Sequence, residues 1–134
     1  MTGSRTTDCL THASGSRYYG TGESFVFAAD NSSEVDVYRW ARSNHFFQLS
    51  SHDFLAVGGG GHFALWIDRE IARGSTAQCT TFDNPPLVAG SDLVDGLSED
   101  FEIVVLEVWT PVLSGHFLET DLPSGVESNE ALIL

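Results

Sequence analysis

The chain has 134 residues, 42% of them hydrophobic, and this size is sufficient for one domain with a core of its own. Six arginines, no lysine and nineteen carboxylates give it a formal net charge of -13. This charge repels phosphate backbones and anionic lipids, so we expect no nucleic-acid binding and no membrane insertion. The lack of lysine excludes a Walker-type phosphate loop, a Schiff-base enzyme and a lysine general base.

The sequence shows no pattern of a membrane span or a signal peptide. No apolar run approaches the roughly eighteen residues that a membrane helix needs, and residues 1–20 lack the apolar block of a signal peptide. Cys9 and Cys79 are the two cysteines, too few for a disulfide framework in a chain of this length. We therefore expect a soluble, cytoplasmic protein with reduced thiols, and a single disulfide bridge is the alternative.

The first predicted elements form a hairpin. Residues 1–17 are rich in serine, threonine and glycine, which predicts a flexible leader before a structured part that begins near Tyr18. Residues 24–29 are a short apolar block, typical of a strand buried on both faces, and residues 35–40 are aromatic and β-branched. Because turn-forming residues separate the two blocks, the sequence predicts a β-hairpin.

The later elements are also predicted to be strands, because no segment repeats apolar residues at the spacing of a long helix. We expect residues 91–100, which carry four acids, to form an exposed loop, and residues 111–134 to form an acidic tail that is disordered or docks on a partner. Residues 127–134 are a candidate short helix. The remaining strand candidates are residues 45–49, 54–57, 63–67 and 101–109.

Four blocks of the sequence, in order, resemble those of one known family. The first is YGTGESFVF at residues 19–27, and the second is GGGGHFALWID at residues 58–68. The third is GSTAQCTTFDNPPL at residues 74–87, and the last is FEI followed by LEVW within residues 101–109. Together they resemble the C-terminal part of the TLDc domain, the module of the oxidation-resistance proteins.

The resemblance implies a fold and a function. The implied fold is mainly β (α+β): a two-layer antiparallel β-sandwich with short flanking helices. Residues 1–18 do not resemble the family's first half, so we expect a leader at 1–17, the C-terminal part of the domain at 18–110 and a tail at 111–134. The family implies a role in oxidative-stress resistance and, in some members, binding and regulation of the vacuolar proton pump (V-ATPase). It implies no established catalytic residues and no cofactor.

Two glycine motifs are candidate sites. Gly20 and Gly22 lack the third glycine and following helix of a phosphate loop, so we interpret them as a structural turn, with a ligand loop as the alternative. Glu23 opens the strand and either caps backbone N–H groups, which we favour, or serves as a polar contact. The run Gly58, Gly59, Gly60 and Gly61 favours a bend or close sheet crossing over a ligand loop.

Two candidate residues have chemical consequences. Strict alternation places Glu107 on the face of Phe101, Ile103 and Trp109; it is then either a buried acid paired with an arginine, or it reaches water at a bulge or strand end. Cys79 is either a buried structural cysteine, which we favour, or a redox-active thiol, which requires a cation or helix N-terminus to lower its pKa.

The remaining candidates are motif residues without an assigned chemistry: Trp66, Asp68, Asn84 and Trp109. The five histidines are scattered and no spacing resembles a zinc site, so we predict no metal. No nucleophile elbow marks a catalytic serine.

Three functions are consistent with these residues. The first is a non-catalytic interaction module that docks on a partner such as the proton pump, its acidic surface steering it to basic patches. The second is an antioxidant factor that consumes peroxide through Cys79. The third is a structural subunit of a larger assembly, in which neighbouring chains cover exposed strand edges.

Overall fold

The structure is a computed structural model that describes residues 1–5, 17–29, 33–88 and 98–108, and the backbone of residues 132–133. Strands and loops make up all of these residues. The strands are Thr2–Arg5 (β1), Phe25–Ala29 (β2), Val35–Arg39 (β3), Gln48–Ser50 (β4), Phe54–Val57 (β5), Leu65–Asp68 (β6), Arg73–Ala77 (β7), Ser98–Glu102 (β8), Glu107–Val108 (β9) and Leu132–Ile133 (β10).

The strands pair into antiparallel sheets. One sheet has three strands in the order β1-β2-β3, and a second has five in the order β4-β5-β6-β7-β8. A third, two-stranded sheet joins β9 to β10. Strands that follow one another along the chain pair within each sheet, as is usual for antiparallel sheets. The prediction of a mainly β molecule with antiparallel sheets is thus confirmed for the described residues.

The predicted hairpin is confirmed. In it, β2 pairs with β3 so that Val26 lies opposite Tyr38 and Phe27 opposite Val37. Because side chains alternate along a strand, Val26 and Tyr38 share one face while Phe27 and Val37 share the other. Within β2, Val26 is fully buried, whereas Phe25, Phe27 and Ala29 on the other face are only partly buried. The prediction that this strand is buried on both faces is therefore wrong, because only one face meets the core.

In the five-stranded sheet, β5 matches its predicted bounds, whereas β4 and β6 lie slightly later in the chain than predicted. The structure adds β7, which the sequence pattern did not predict because Arg73–Ala77 is short of large apolar residues. A side chain on Gly74 would place its Cβ 2.5 Å from the Phe101 ring. The lack of a side chain at Gly74 therefore lets β7 and β8 pair closely.

The predicted strand over residues 101–109 is wrong. Its place is taken by β8, which begins at Ser98, and by the separate β9, with irregular chain between them. The apolar alternation had suggested one long strand, but Val104 is 92% exposed and makes no core contact. Pairing with β7 sets the position of β8 instead, and this pairing draws Ser98, Glu99 and Asp100 out of the predicted exposed loop. The rest of that loop and Trp109 lie outside the described residues.

The predicted short flanking helices are also wrong for the part of the chain that the structure describes, where no residue is helical. The β4–β5 and β6–β7 connections are tight turns of three and four residues, too short for a helix, and the longer described loops follow irregular paths. Residues 2–5 of the predicted leader form β1, which pairs with β2 along its length. Residues 6–16 lie outside the described residues, as do residues 109–131 of the predicted tail; Leu132–Ile133, at the candidate helix, is extended in β10.

One core joins the two larger sheets. Val26 of β2 is buried in the same cluster as Val57 of β5 and Leu65 and Ile67 of β6. Loop residues complete this cluster, among them Phe47, Cys79, Phe82 and Leu87. Burying side chains of this size removes apolar surface from water, at about 25 cal/mol per Å², and is the main stabilising term of the fold. The four-glycine run and Cys79 lie at the edge of this core.

Candidate functional site: the glycine-loop junction

The glycine run Gly58 to Gly61 connects β5 to β6 and packs against two other loop segments. We call the three segments, residues 44–47, 58–61 and 79–84, the glycine-loop junction. Gly58 has a φ of 79°, a left-handed conformation that favours glycine. A side chain there would place its Cβ 2.7 Å from the Cys79 Sγ. Both backbone conformation and close packing therefore require glycine at this position.

The neighbouring glycines are in different surroundings. A Cβ on Gly59 would lie 2.8 Å from the Cβ of Phe46, and a Cβ on Gly60 would overlap the Thr80 hydroxyl. At Gly61 nothing lies within 4 Å of such an atom. The first three glycines thus let the loop approach its neighbours closely, which is the geometry of a structural bend.

Thr81 holds the loop in place from the inside. It is fully buried, and its hydroxyl accepts a hydrogen bond from the Gly59 N–H at 3.0 Å. The same hydroxyl lies 2.8 Å from the Asn44 Oδ1, to which it donates, and the Thr81 N–H donates to the Gly59 carbonyl at 3.3 Å. Since a buried polar group without a partner is costly, this pairing fixes the three segments relative to one another.

A second group of hydrogen bonds lies nearer the surface. The Asn44 Nδ2 donates to the Thr80 hydroxyl at 2.9 Å, and that hydroxyl lies 3.2 Å from the Gly60 carbonyl. Deeper in the junction, between two buried residues, the Gly58 N–H donates to the Phe47 carbonyl at 2.8 Å. Side-chain and backbone groups of all three segments are therefore used within the junction itself.

Cys79 is a free cysteine and is 1% exposed. Its thiol donates to the Asn84 Oδ1 at 3.2 Å, and the Asn84 amide donates in turn to the carbonyls of Ala77 and Pro85 at 3.0 and 2.7 Å. The sulfur is therefore a buried hydrogen-bond donor with a fixed partner, away from solvent. The structure thus brings together Cys79 and Asn84, and it gives the sulfur a structural environment.

Tyr18 lies over the outside of the junction. Its ring packs on Phe46 with a centroid distance of 4.6 Å. Burial raises the pKa of the Tyr18 hydroxyl above its usual range, and the negative charge that Cys79 would carry as a thiolate raises it further. Beside Tyr18 and the glycines is an open cavity of about 360 Å³, whose walls include His62, Ser75 and Asp100.

The first glycine motif contacts the junction through aromatic rings. Gly20 has a φ of 110°, and a Cβ there would lie 2.9 Å from that of Phe47. Gly22 lies against the Trp40 ring, which leaves no room for a side chain. The Trp40 Nε1 donates to the Asn44 carbonyl at 2.7 Å, so this ring links the motif to the junction. Glu23 is exposed at the turn, and its backbone N–H donates to the Thr21 hydroxyl at 3.4 Å.

Trp66 and Asp68 lie on β6, away from the junction. Asp68 organises the turn into β7, because its Oδ1 accepts hydrogen bonds from the N–H groups of Ala72 and Arg73 at 2.9 and 3.2 Å. The Trp66 ring lies 6.3 Å from that of Phe54, on the half-buried face of the sheet. The structure of the sheet therefore accounts for both residues, Asp68 through the turn into β7 and Trp66 through packing on the half-buried face.

Glu107 is exposed at the start of β9, so the structure favours the alternative in which it reaches water. The strand had been expected to continue through it, but the break after β8 places it at a strand end. Glu107 therefore does not share a strand face with Phe101 and Ile103, as strict alternation had predicted. Trp109 lies outside the described residues.

Sequence reasoning missed three residues of the site: Asn44, Thr81 and Tyr18. All three lie outside the strands, so no hydrophobic periodicity marks them. Thr81 stands in a pair of threonines five residues before two prolines, a pattern that indicates only a loop. Their importance comes from contacts between segments that are far apart in the chain.

Within the described ranges, no group of three or more histidine, cysteine or carboxylate side chains is placed to hold a metal ion. Across those same residues, no helix has the length and apolarity to cross a membrane.

Comparison with known proteins identifies the family. The family model of the TLDc domain matches residues 7–112. The chain belongs to the TLDc family. The match starts within the predicted leader and includes every segment of the glycine-loop junction. For this TLDc chain, the junction is therefore a feature of the domain's own fold.

Individual relatives agree with this family. Oxidation resistance protein 1 of Homo sapiens is 41% identical over 93 residues, which are 69% of this TLDc chain and 10% of the relative. Oxidation resistance protein 1 of Yarrowia lipolytica is 33% identical over 104 residues, 77% of the chain and 42% of the relative. Nuclear receptor coactivator 7 of Mus musculus is 37% identical over 94 residues, 69% of the chain and 9% of the relative. The chain thus spans between about a tenth and two fifths of the length of these relatives.

Proposed function

We propose that the chain is a non-catalytic TLDc interaction module that contributes to oxidative-stress resistance by binding a protein partner, the peripheral sector of the V-ATPase. The observation that carries the proposal is family membership, with relatives named for oxidation resistance at up to 41% identity. The V-ATPase is proposed as the partner because the resemblance to the family implies binding of this pump in some members.

The geometry of the junction supports a module that acts through its surface. Polar groups of the glycine loop, Thr81 and Asn44 are hydrogen bonded to one another, and the Cys79 sulfur is buried against Asn84. Such an arrangement rigidifies the domain. Rigid loops and strands then present surface side chains at little entropic cost, which favours binding.

Charge supports a basic partner surface. The net charge is -13, and the edge strand β8 presents Asp100 and Glu102 as exposed side chains. Carboxylates at the rim of an interface chiefly accelerate the encounter with a positive patch, and this effect weakens with salt. Binding to the partner should therefore depend on ionic strength.

A pull-down tests the proposal. The immobilised chain is incubated with the purified peripheral sector of the V-ATPase, at low and at physiological salt. We expect enrichment that falls with salt and that is weakened by the double substitution Asp100→Asn and Glu102→Gln. The matched control neutralises two exposed acids elsewhere, Asp53→Asn and Glu70→Gln, and should weaken binding less. No enrichment at low salt over unloaded resin would refute the pump as partner.

A further inference from the structure

The three-stranded sheet has an apolar face that points away from the core. Its register places Phe25 opposite Arg39, Phe27 opposite Val37 and Ala29 opposite Val35, so these six residues share a face. We call this set, together with Arg5 opposite Phe25, the outer face. Val35 is 56% and Val37 45% exposed, whereas Val26 on the opposite face is completely buried.

The outer face ends at an open strand edge. Among the described residues, β3 is the last strand of its sheet and pairs with β2 on one side only. Half of the backbone N–H and C=O groups of such an edge point away from the sheet, where they are able to pair with a further strand. An edge of this kind beside exposed valines favours binding of an extended segment.

The outer face carries positive charge, whereas the chain as a whole has a net negative charge. The face contains Arg5 and Arg39 and no carboxylate, although most of the nineteen acids in the chain lie after residue 50. The Arg39 guanidinium carbon lies 5.8 Å from the centre of the Phe25 ring. A cation held over an apolar surface in this way is suited to a partner that combines apolar side chains with a carboxylate.

We propose that the β3 edge binds an extended segment of a partner protein as an additional antiparallel strand. In that pairing, apolar side chains of the segment lie opposite Val35 and Val37, and a carboxylate lies opposite Arg39. The proposal rests on the proposed function as an interaction module, and it adds a surface distinct from the acids of β8. Main-chain hydrogen bonds supply affinity, and the alternate side chains supply specificity.

Charge argues against two other occupants. A second copy pairing through β3 about Val37 would put Arg39 opposite Val35, with no carboxylate to meet it. It would also bring together two chains that each carry a net charge of -13. An anionic lipid surface would be repelled by the same net charge.

A synthetic peptide tests the proposal with the full chain. The probe is a fluorescein-labelled peptide with the order glutamate, threonine, valine, threonine, valine, flanked by serine and glycine, which fits the proposed antiparallel register. A comparison peptide has lysine in place of glutamate. Fluorescence anisotropy measures the dissociation constant, and amide hydrogen exchange measures protection of β3. Because no pump component is present, failure here is distinguishable from failure of the pull-down.

The variants separate the contacts. Arg39→Glu should weaken binding of the glutamate peptide about fivefold and strengthen binding of the lysine peptide, as expected for a cross-strand charge pair. Val37→Thr should weaken the binding of both peptides. Val104→Thr changes a valine that is 92% exposed and outside every strand, so it is the matched control and should leave both dissociation constants unchanged. Circular dichroism verifies that each variant is folded.

We expect Arg39→Glu to shift the preference of the chain from the glutamate peptide to the lysine peptide. We also expect the bound peptide to protect the outward amides of β3 from hydrogen exchange. The proposal is overturned if the full chain does not bind the glutamate peptide, or if Arg39→Glu leaves its dissociation constant unchanged. It is also overturned if sedimentation shows a dimer that Val37→Lys dissociates, since the occupant is then a second copy. Binding to phosphatidylserine vesicles that Arg39→Glu abolishes would likewise overturn it.

Discussion

The glycine-loop junction and the three-stranded sheet differ in how their backbone hydrogen-bonding groups are paired. In the junction, loops from three parts of the chain pair their polar groups with one another around the buried Thr81. In the three-stranded sheet, β3 has regular pairing on one side and exposed valines on its outer face. From this difference we expect the irregular chain of the junction to be the more rigid region and the regular strand β3 to be the more accessible one.

A side chain forced into the junction should destabilise the domain more than any other change proposed here. Gly58→Ala puts a residue at a φ of 79° and its Cβ 2.7 Å from the Cys79 Sγ. We expect a loss of about 2–5 kcal/mol in unfolding free energy, because left-handed backbone strain and overpacking add. Urea denaturation measures it.

Gly61→Ala is the control for this substitution. Gly61 also has a positive φ, 114°, but no atom lies within 4 Å of an added Cβ. Only backbone strain remains, so Gly61→Ala should destabilise less than Gly58→Ala. Equal losses would show that close packing at the junction contributes nothing.

The two faces of the three-stranded sheet provide the next largest contrast. Val26→Ala removes two methyl groups from a fully buried side chain, and we expect a loss of about 2 kcal/mol from transfer and cavity terms. Val37→Ala makes the same chemical change on the outer face and should cost about 0.5 kcal/mol or less. Thermal and urea unfolding of both variants give the comparison. A cost for Val37→Ala as large as that for Val26→Ala would mean that the outer face is buried within the chain.

The buried hydroxyl of Thr81 should contribute to the stability of the junction through its hydrogen bonds. Thr81→Val preserves the shape of the side chain but leaves the buried Gly59 N–H without its partner, which should cost about 1–3 kcal/mol. Thr80→Val removes a hydroxyl from an exposed residue in the same loop and should cost less, because water replaces it. A smaller loss for Thr81→Val than for Thr80→Val would contradict the role assigned to the buried hydroxyl.

Substitution of Cys79 should have the least effect of these changes, and the property concerned is reaction with peroxide. Cys79→Ser should leave the rate of peroxide consumption by the purified chain unchanged, because the thiol is 1% exposed and faces the Asn84 oxygen. A peroxide-coupled dye assay measures this rate, with Cys9→Ser as the matched variant. Loss of consumption in Cys79→Ser and not in Cys9→Ser would establish the antioxidant alternative.

The strands that sequence predicted best have strong patterns of their own. Residues 54–57 and the hairpin of residues 25–39 combine apolar or β-branched runs with turn residues, and the structure places strands there. Arg73–Ala77 was missed because its strand depends on β6 and β8 on either side and on the close fit of Gly74 to Phe101. Tertiary pairing also overrode the alternation of residues 101–109, so Val104 is exposed and Glu107 begins a separate strand.

The candidate site followed the same pattern. Glycines were identified as features of the backbone because few other residues adopt their conformations, Cys79 was a candidate because of its thiol, and Asn84 was included through the resemblance to the family. The hydrogen-bond partners Thr81 and Asn44 were not identifiable, since their contacts join residues 36 or 37 positions apart. Only the fold brings such residues together.

Amide hydrogen exchange tests the contrast between the two regions most directly. We predict that the N–H groups of Gly58, Gly59 and Thr81 exchange only through global or near-global unfolding, since each is hydrogen bonded within the junction. The outward N–H groups of β3 should exchange far faster. Exchange of the three junction amides as rapid as that of the outward β3 amides would contradict the central claim.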